Sequence, residues 1–538
     1  MSWDNIFTFF YYTFTYGIFT YSVVLVFAYI FIGIYSIGET RKYLHKNSFT
    51  DYRILAVSRH APSVSILAPA YNEGKTIVEN VRSLLSIYYH NLELIIINDG
   101  SKDDSLQRLI DAYQLKKTNL FFNSHIPTRP VKGIYKSTNP VYGKLIVVDK
   151  VNGGKADALN VGINIASNNY LVCIDVDCVL EQDALLKMIK PFLEQTDEKV
   201  IASGGVIRVA NSCTIEGGRL IKVNMPKDYL PRLQCLEYIR AFILGRMAWS
   251  RLNGLMLISG AFGAFDREIV IRCGGYNPNT VGEDMELVVR MRRFMEEQKQ
   301  KYRVTYIPDP LCWTEVPASF SVLGRQRNRW ARGMSETLKI HRKMFFNPRY
   351  HLLGMLSYPY WFFFELCSPV IEFFGIICFL LFILLGFIDW EFFITFLLFI
   401  ACFGYLYSAF AILMEVITYN QYKRRMDILR LLLAALTEPF YFHPFVVWSS
   451  IKGYVDLVKK KGGWGDMKRR GFAAKPVTPE TAKPKEHWLS SLAKELSCSF
   501  RDYLRYAIAL LLLSAGARAF ELIKIGRASC RERVLNLV

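Results

Sequence analysis

The pentapeptide Gln326-Arg327-Asn328-Arg329-Trp330 places fork-shaped cations beside a flat aromatic ring. A guanidinium such as that of Arg329 neutralises phosphate oxygens and binds them in pairs. The face of Trp330 can pack on the apolar face of a pyranose ring. The same residues suit a plainer duty, with Arg and Trp resting among lipid headgroups at a membrane edge. Alone, the motif leaves both readings open.

Upstream, polar residues gather where short apolar runs end. Asp175 and Asp177 follow the run Tyr170–Ile174, separated by one residue. Two carboxylates at that spacing can hold a hard divalent cation and leave positions for phosphate and water. The alternative is an Asx turn that stops a strand, and Asp99 in Asn98-Asp99-Gly100-Ser101 has the same alternative. Lys155 follows two glycines and opens a helical stretch, where its amine can meet a diphosphate or simply be solvated. Glu283 and Asp284 follow Gly282 at the head of the amphipathic stretch Met285–Met295. Acids favour a first helical turn for capping alone, but an Asp beside an acceptor hydroxyl also serves as a general base. Four such motifs in this order favour catalysis.

These residues need elements to position them. The runs Val64–Pro69, Leu92–Ile97, Leu145–Asp149 and Tyr170–Ile174 alternate with helical patterns, which predicts an α/β domain with a mostly parallel sheet flanked by helices. Each run carries polar residues at its carboxyl end, where open parallel sheets bind ligands. Around this region the chain is apolar. Of its 538 residues 52% are hydrophobic, and the excess lies towards the two ends. Phe14 to Ile37 is free of charge and exceeds the roughly 20 residues that a bilayer requires, which predicts a retained anchor. Further apolar blocks run over 352–388, 392–418 and 428–458.

Charge sets an orientation. Arg41-Lys42, Lys423-Arg424-Arg425, Lys459-Lys460-Lys461 and Lys468-Arg469-Arg470 are basic, whereas Asp389-Trp390-Glu391 is acidic. The positive-inside rule places the basic flanks, and with them residues 40 to 350, in the cytoplasm. A basic rim suits anionic lipid and a nucleotide diphosphate, so the net charge of +19 needs no nucleic acid. If Lys423 and Lys459 share a side, the block between them cannot cross once. Thr437-Glu438-Pro439 and His443-Pro444 predict a broken or re-entrant pair of short helices there, the alternative being one crossing against the charge rule. The 11 cysteines show neither paired nor zinc spacing.

The motif order resembles the processive family-two membrane glycosyltransferases, namely the cellulose, chitin, hyaluronan and poly-N-acetylglucosamine synthases. The resemblance covers roughly residues 15 to 470. It is carried by Pro69-Ala70-Tyr71-Asn72-Glu73, Asn98-Asp99-Gly100-Ser101, Asp175-Val176-Asp177, Gly282-Glu283-Asp284 and Gln326–Trp330. It implies a GT-A-type glycosyltransferase domain inserted between transmembrane helices, a UDP-sugar donor, a Mg2+ or Mn2+ ion and inversion at the anomeric carbon. Tyr71 and Asp99 would hold the uracil, with Glu73 beside them. Asp175 and Asp177 would bind metal and UDP, Lys155 the diphosphate, and Asp284 would be the base beside Glu283. Gln326, Arg329 and Trp330 would close over the diphosphate and the polysaccharide acceptor.

The third motif departs from the usual Thr-Glu-Asp of the cellulose and poly-N-acetylglucosamine types and from the Gly-Asp-Asp of the hyaluronan and chitin types. No cyclic-nucleotide-binding domain is recognisable after the membrane region. A single N-terminal span and a short C-terminal membrane region look closest to poly-N-acetylglucosamine synthases, which implies UDP-N-acetylglucosamine, an inner-membrane enzyme and room for a small membrane partner subunit. The expected units are an anchor at 1–45, a cytoplasmic catalytic domain at 46–317, interfacial helices at 318–351, membrane helices at 352–458 and a basic tail at 459–524. Rival readings are a transferase that adds one sugar to a lipid carrier and an inactive transporter or scaffold. Residues 525–538 resemble a translated sequencing adapter, so the natural chain is expected to continue beyond Lys524. Lys475–Lys485 reads as a flexible linker.

Overall fold

The computed structural model describes residues 3–48, 50, 52 and 61–459. The expected linker and the terminal stretch from Ile525 lie outside the described residues.

Strand-forming runs of Val, Ile and Leu build one ten-stranded sheet. Its strands are β1 (Val64–Ala70), β2 (Leu92–Asn98), β3 (Leu115–Thr118), β4 (Val131–Ser137), β5 (Leu145–Lys150), β6 (Tyr170–Ile174), β7 (Val179–Leu180), β8 (Lys199–Val209), β11 (Phe262–Asp266) and β12 (Tyr302–Thr314). The short strands β9 (Thr214–Glu216) and β10 (Arg219–Lys222) form a separate hairpin. The order across the sheet is β3-β4-β5-β2-β1-β6-β11-β8-β12-β7. The central strands β5, β2, β1 and β6 are parallel, and β8 pairs parallel with β12. Strands β4, β11 and β7 run the other way.

Strand β1 is buried on both faces along most of its length, which is why it reads as a continuous apolar run. The expected α/β architecture is present. Edge strands β3 and β7, and β4 beside β3, carried too weak a pattern to be read from sequence. From β1 the chain passes to β2 on one side, and from β5 it crosses to β6 on the other. The carboxyl ends of β1 and β6 therefore flank a topological switch point, the place where open sheets bind ligands.

Four helices among the described residues are long and apolar enough to cross a membrane: Phe9–Asn47, Leu353–Leu384, Trp390–Thr418 and Arg425–Val458. The first helix runs from Trp3 to Asn47, beyond the charge-free stretch Phe14–Ile37 at both ends and two residues past the expected anchor unit 1–45. Aromatic residues knit the first three together. Tyr29 stacks on Tyr407 with centroids 5.0 Å apart, and Phe14 meets Phe382 edge-on at 5.9 Å. The expected break in the last block is absent, because Arg425–Val458 is one helix that contains Pro439 and Pro444. The segments Thr437-Glu438-Pro439 and His443-Pro444 that argued for a break stay helical, and Glu438 is forked by Arg240, which also donates to the Ser408 hydroxyl at 2.8 Å. That pairing ties the Pro-containing turn to its neighbours and keeps the helix whole.

Candidate active site

Asp99 follows β2 directly and is nearly buried. Its Oδ1 accepts from the Gly153 amide at 2.9 Å and its Oδ2 from the Gly154 amide at 2.8 Å. Lys150, fully buried at the end of β5, bridges Asp99 and Asp157, each at 2.6 Å. Gly154 has φ +87°, a conformation that favours glycine. The two carboxylates thus shape the turn that delivers Lys155 to the first position of the helix Lys155–Ile165.

Lys155 is the hub of the site. Its Nζ bonds Asp175 Oδ1 and the Gly260 carbonyl (3.0 Å) and lies 3.8 Å from Glu283 Oε1. Burial works against its charge, yet Asp175 and Glu283 carry its pKa above the ordinary lysine value. Burial pushes the Glu283 carboxyl up to about 7, against the pull of Lys155 and Arg329 and with the help of Asp284. Asp284 Oδ2 accepts from the Gly260 amide at 2.8 Å, and Oδ1 from the Met285 amide at 2.8 Å. Each oxygen keeps a second lone pair for an incoming hydroxyl.

Asp175, Asp177 and Cys178 bring ligand atoms within 4.8 Å of one another. The two half-buried carboxylates fit Mg2+ or Mn2+, whereas the buried thiol is a soft donor that such ions do not select. The cluster also lies beside the largely buried cation Lys155, whose Nζ bonds Asp175.

The pentapeptide lies in the helix Phe320–Ile340. Arg327, only 4% exposed, forks onto Glu237 of the helix Tyr229–Ile239 with bonds of 2.8 and 2.6 Å. Its guanidinium lies 4.3 Å from the Trp330 ring centroid, which leaves a flat ring 41% exposed. Gln326 Oε1 is buried without a hydrogen-bond partner among the described residues. Arg329 lies close enough for its charge to act on Glu283. This helix meets the Gly282-Glu283-Asp284 turn through bare backbone: a Cβ on Gly282 would lie 2.7 Å from Gly333 Cα. Glu336 accepts from Thr280 Oγ1 (2.6 Å) and the Val281 amide (3.0 Å), fixing the same approach.

Asp99, Lys155, Asp175, Glu283 and Asp284 therefore form one connected network, with Asp177 beside it and Arg329 bearing on it. Tyr71 is 44% exposed just past the end of β1. The Glu73 amide donates to Ser105 Oγ on the neighbouring loop. Trp330 stands on Arg327. Sequence reasoning missed Lys150, Asp157, Glu237, Gly260 and Gly333. Nothing in their local pattern distinguishes them; a lysine closing an apolar run resembles any strand end.

The arrangement sets the cations Lys155 and Arg329 near the acids Asp175, Glu283 and Asp284, as transfer of a group from a charged leaving group requires. Residues 61–333 match the model of the glycosyltransferase-like family 2. The poly-beta-1,6-N-acetyl-D-glucosamine synthase of Staphylococcus epidermidis is 31% identical over 319 residues, 58% of this chain and 65% of that protein. The synthase of the same name from Staphylococcus aureus strain COL is 30% identical over 276 residues, 51% of this chain and 55% of that protein. The chain thus spans under two thirds of the length of these curated relatives. A solved structure of the mannosyltransferase PcManGT from Pyrobaculum calidifontis, in complex with GDP-Man and Mn2+, is 17% identical. It covers 82% of this chain and 99% of its own, with a TM-score of 0.47.

Proposed function

The chain belongs to the glycosyltransferase-like family 2, and we propose that it is an inverting membrane glycosyltransferase that extends a β-linked polysaccharide from a UDP-sugar. The best-supported donor is UDP-N-acetylglucosamine, the activated form of the sugar for which the two staphylococcal synthases are named. The observation that carries the reading is the convergence of Lys155, Asp175, Glu283 and Asp284, drawn from three separated segments, on the switch-point crevice.

In this reading Asp175 and Asp177 hold a Mg2+ or Mn2+ ion, which when bound supplies positive charge to the departing diphosphate. Lys155 and Arg329 add fixed cations to the same charge. Asp284 takes the proton of the acceptor hydroxyl as that oxygen attacks the anomeric carbon from the face opposite the leaving UDP. One displacement then inverts the centre. Gln326 Oε1, which lacks a donor, would accept from a sugar hydroxyl. Trp330 stacks the acceptor ring. Tyr71 and Glu73 lie where a base could rest beside β1. Asp99 shapes the Lys155 loop under the uracil. Basic flanks support a catalytic region on the cytoplasmic face of the inner membrane, with export of the polymer and a small partner subunit as further parts of the proposal.

Membranes that contain the protein, given a panel of labelled UDP-sugars, should yield a metal-dependent ladder of products. Asp177→Asn should abolish the ladder at unchanged expression. A single lipid-linked product would support the rival enzyme, and no turnover of any donor would support a scaffold.

A further inference from the structure

We infer that His341 is a positioning residue: as a neutral imidazole it locks the helix Glu283–Glu297 to the helix Phe320–Ile340, and its protonation opens that lock. The inference rests on the reading in which Asp284 is the base.

The seam between the two helices is fastened at three places. Two of them, Gly282 on Gly333 and Glu336 on Thr280 and Val281, lie ahead of Asp284. Fastened there alone, the helix Glu283–Glu297 could still swing about its first turn. The third fastening lies beyond Asp284. Glu286 is 1% exposed, and His341, which caps the helix Phe320–Ile340, is fully buried. Glu286 Oε1 lies 3.2 Å from His341 Nε2, and Arg293 Nη1 lies 3.0 Å from His341 Nδ1. Met285 and Val289 of one helix share a buried apolar cluster with Leu338 of the other and with Met344. Two steps along an α-helix turn the chain by about 200°, so Glu286 grips the helix on the face turned away from Asp284. The base is held from behind, and its own face stays open to substrate.

The partners dictate the tautomer. A guanidinium only donates, so Nδ1 accepts from Arg293 and the ring proton sits on Nε2, which donates to Glu286. Burial works against the charge of Glu286, yet His341 and Arg290 hold its carboxyl below the ordinary range. Arg290 forks onto that carboxylate at 2.9 and 2.6 Å and also donates to the carbonyls of Cys273 and Gly275. A second proton on His341 would face the Arg293 guanidinium donor to donor and charge to charge. Arg293 would then turn away towards Glu297, which already lies 3.6 Å from its Nε and accepts from Tyr350. Lys339, Arg342 and Lys343 on the segment of His341 itself are exposed. Burial, joined by Arg293 and Arg290, keeps the imidazole pKa below its ordinary 6.5 against the pull of Glu286. The lock therefore stays closed at neutral pH and opens as the pH falls below the usual histidine range.

Two variants of the full-length protein test this. His341→Ala removes both bonds and should lower kcat by about 10- to 100-fold, the scale of a shift of up to about 1 Å, while calorimetry shows UDP affinity little changed. His341→Gln offers an amide N–H to Glu286 but takes up no proton. It should restore most of the lost rate and carry the acid limb of the kcat profile to lower pH than in the parent. An acid limb that coincides with the parent's, or a His341→Ala protein as fast as the parent, overturns the inference. Should His341→Ala fail to fold, 15N spectra of the histidine-labelled parent decide, with the His341 signal identified by its absence in His341→Gln. Near neutral pH that signal is expected from the neutral Nε2–H form, and a charged ring or an Nδ1–H form overturns the inference. No turnover of any donor by the parent, with that signal intact, would overturn the role of Asp284 and leave the lock itself standing.

Discussion

The closest backbone approach in the site makes the sharpest test. Gly282 has φ −113°, which any residue can adopt, so its glycine answers to space and not to backbone conformation. A Cβ there would lie 2.7 Å from Gly333 Cα, 2.8 Å from its carbonyl carbon and 3.0 Å from its oxygen. All three are backbone atoms of the Phe320–Ile340 helix, so no rotamer change relieves the clash. Ordinary carbon contacts need ~3.5–4.0 Å, so the two segments must part by about 1 Å. Overpacking of that kind costs about 1–3 kcal/mol, which leaves most of the protein folded. The chemical loss is larger. Asp284 lies two residues beyond Gly282, and Arg329 one helical turn before Gly333, so the shift separates the proposed base from the proposed leaving-group clamp. A displacement of about 1 Å costs about 100-fold in rate. Gly282→Ala should therefore lower kcat for UDP release about 100-fold, while size-exclusion profiles and UDP affinity change little. Gly282→Thr, which copies the residue usual in the cellulose-type motif, should be no better. Turnover of Gly282→Ala within threefold of the parent would refute the argument.

Asp284→Asn should stop transfer while titration calorimetry shows nearly unchanged UDP binding, since only proton removal is lost; affinity that falls in step with activity would make Asp284 a binding residue. Glu237→Gln breaks the fork that steadies Arg327 beneath Trp330, so acceptor KM should rise about 3- to 10-fold with donor KM unchanged. Equal effects on both substrates would count against the Trp330 platform. Glu283 binds its proton more tightly in the folded chain, at about 7 against an ordinary 4.5. That stabilisation is complete below about 4.5 and lost as pH rises through 7. Its size is at most about 3 kcal/mol. Glu283→Gln should accordingly raise the apparent Tm at pH 8 and leave it nearly unchanged at pH 5; a gain equal at both values would sink the assignment.

Much of the catalytic half was legible because its elements follow strong local rules. Buried parallel strands must be apolar on both faces, so Val64–Ala70, Leu92–Asn98, Leu145–Lys150 and Tyr170–Ile174 stand out of the sequence. The polar residues at their ends stand out for the same reason. What stayed hidden depends on distant partners. Lys150 closes a strand like many surface lysines, and only the fold shows it between Asp99 and Asp157. Glu237 belongs to no motif, and its carboxylate gains meaning from an arginine 90 positions away. The prolines at 439 and 444 were misleading because local propensity forecasts a break, while the Arg240 fork and the packing on two neighbouring helices keep one helix whole.

Those long-range contacts divide the labour of the site. Donor-side groups, Asp99, Lys155, Asp175 and Asp177, sit on loops pinned by the sheet, whose geometry is set by backbone ladders and buried strands. Gln326, Arg329 and Trp330, proposed to close over the diphosphate and the acceptor, sit on a helix whose position is set elsewhere. Glu237 holds it through Arg327, Asp456 through Asn328, and Gly453 by backbone approach. Two of these three restraints come from the helix Arg425–Val458. The Gly282–Gly333 contact is then the place where the sheet-borne part of the site and the Phe320–Ile340 helix are brought into register. That is why the motif between them can tolerate neither a side chain at 282 nor a shift of its partner helix, although neither glycine touches substrate in the proposed reaction.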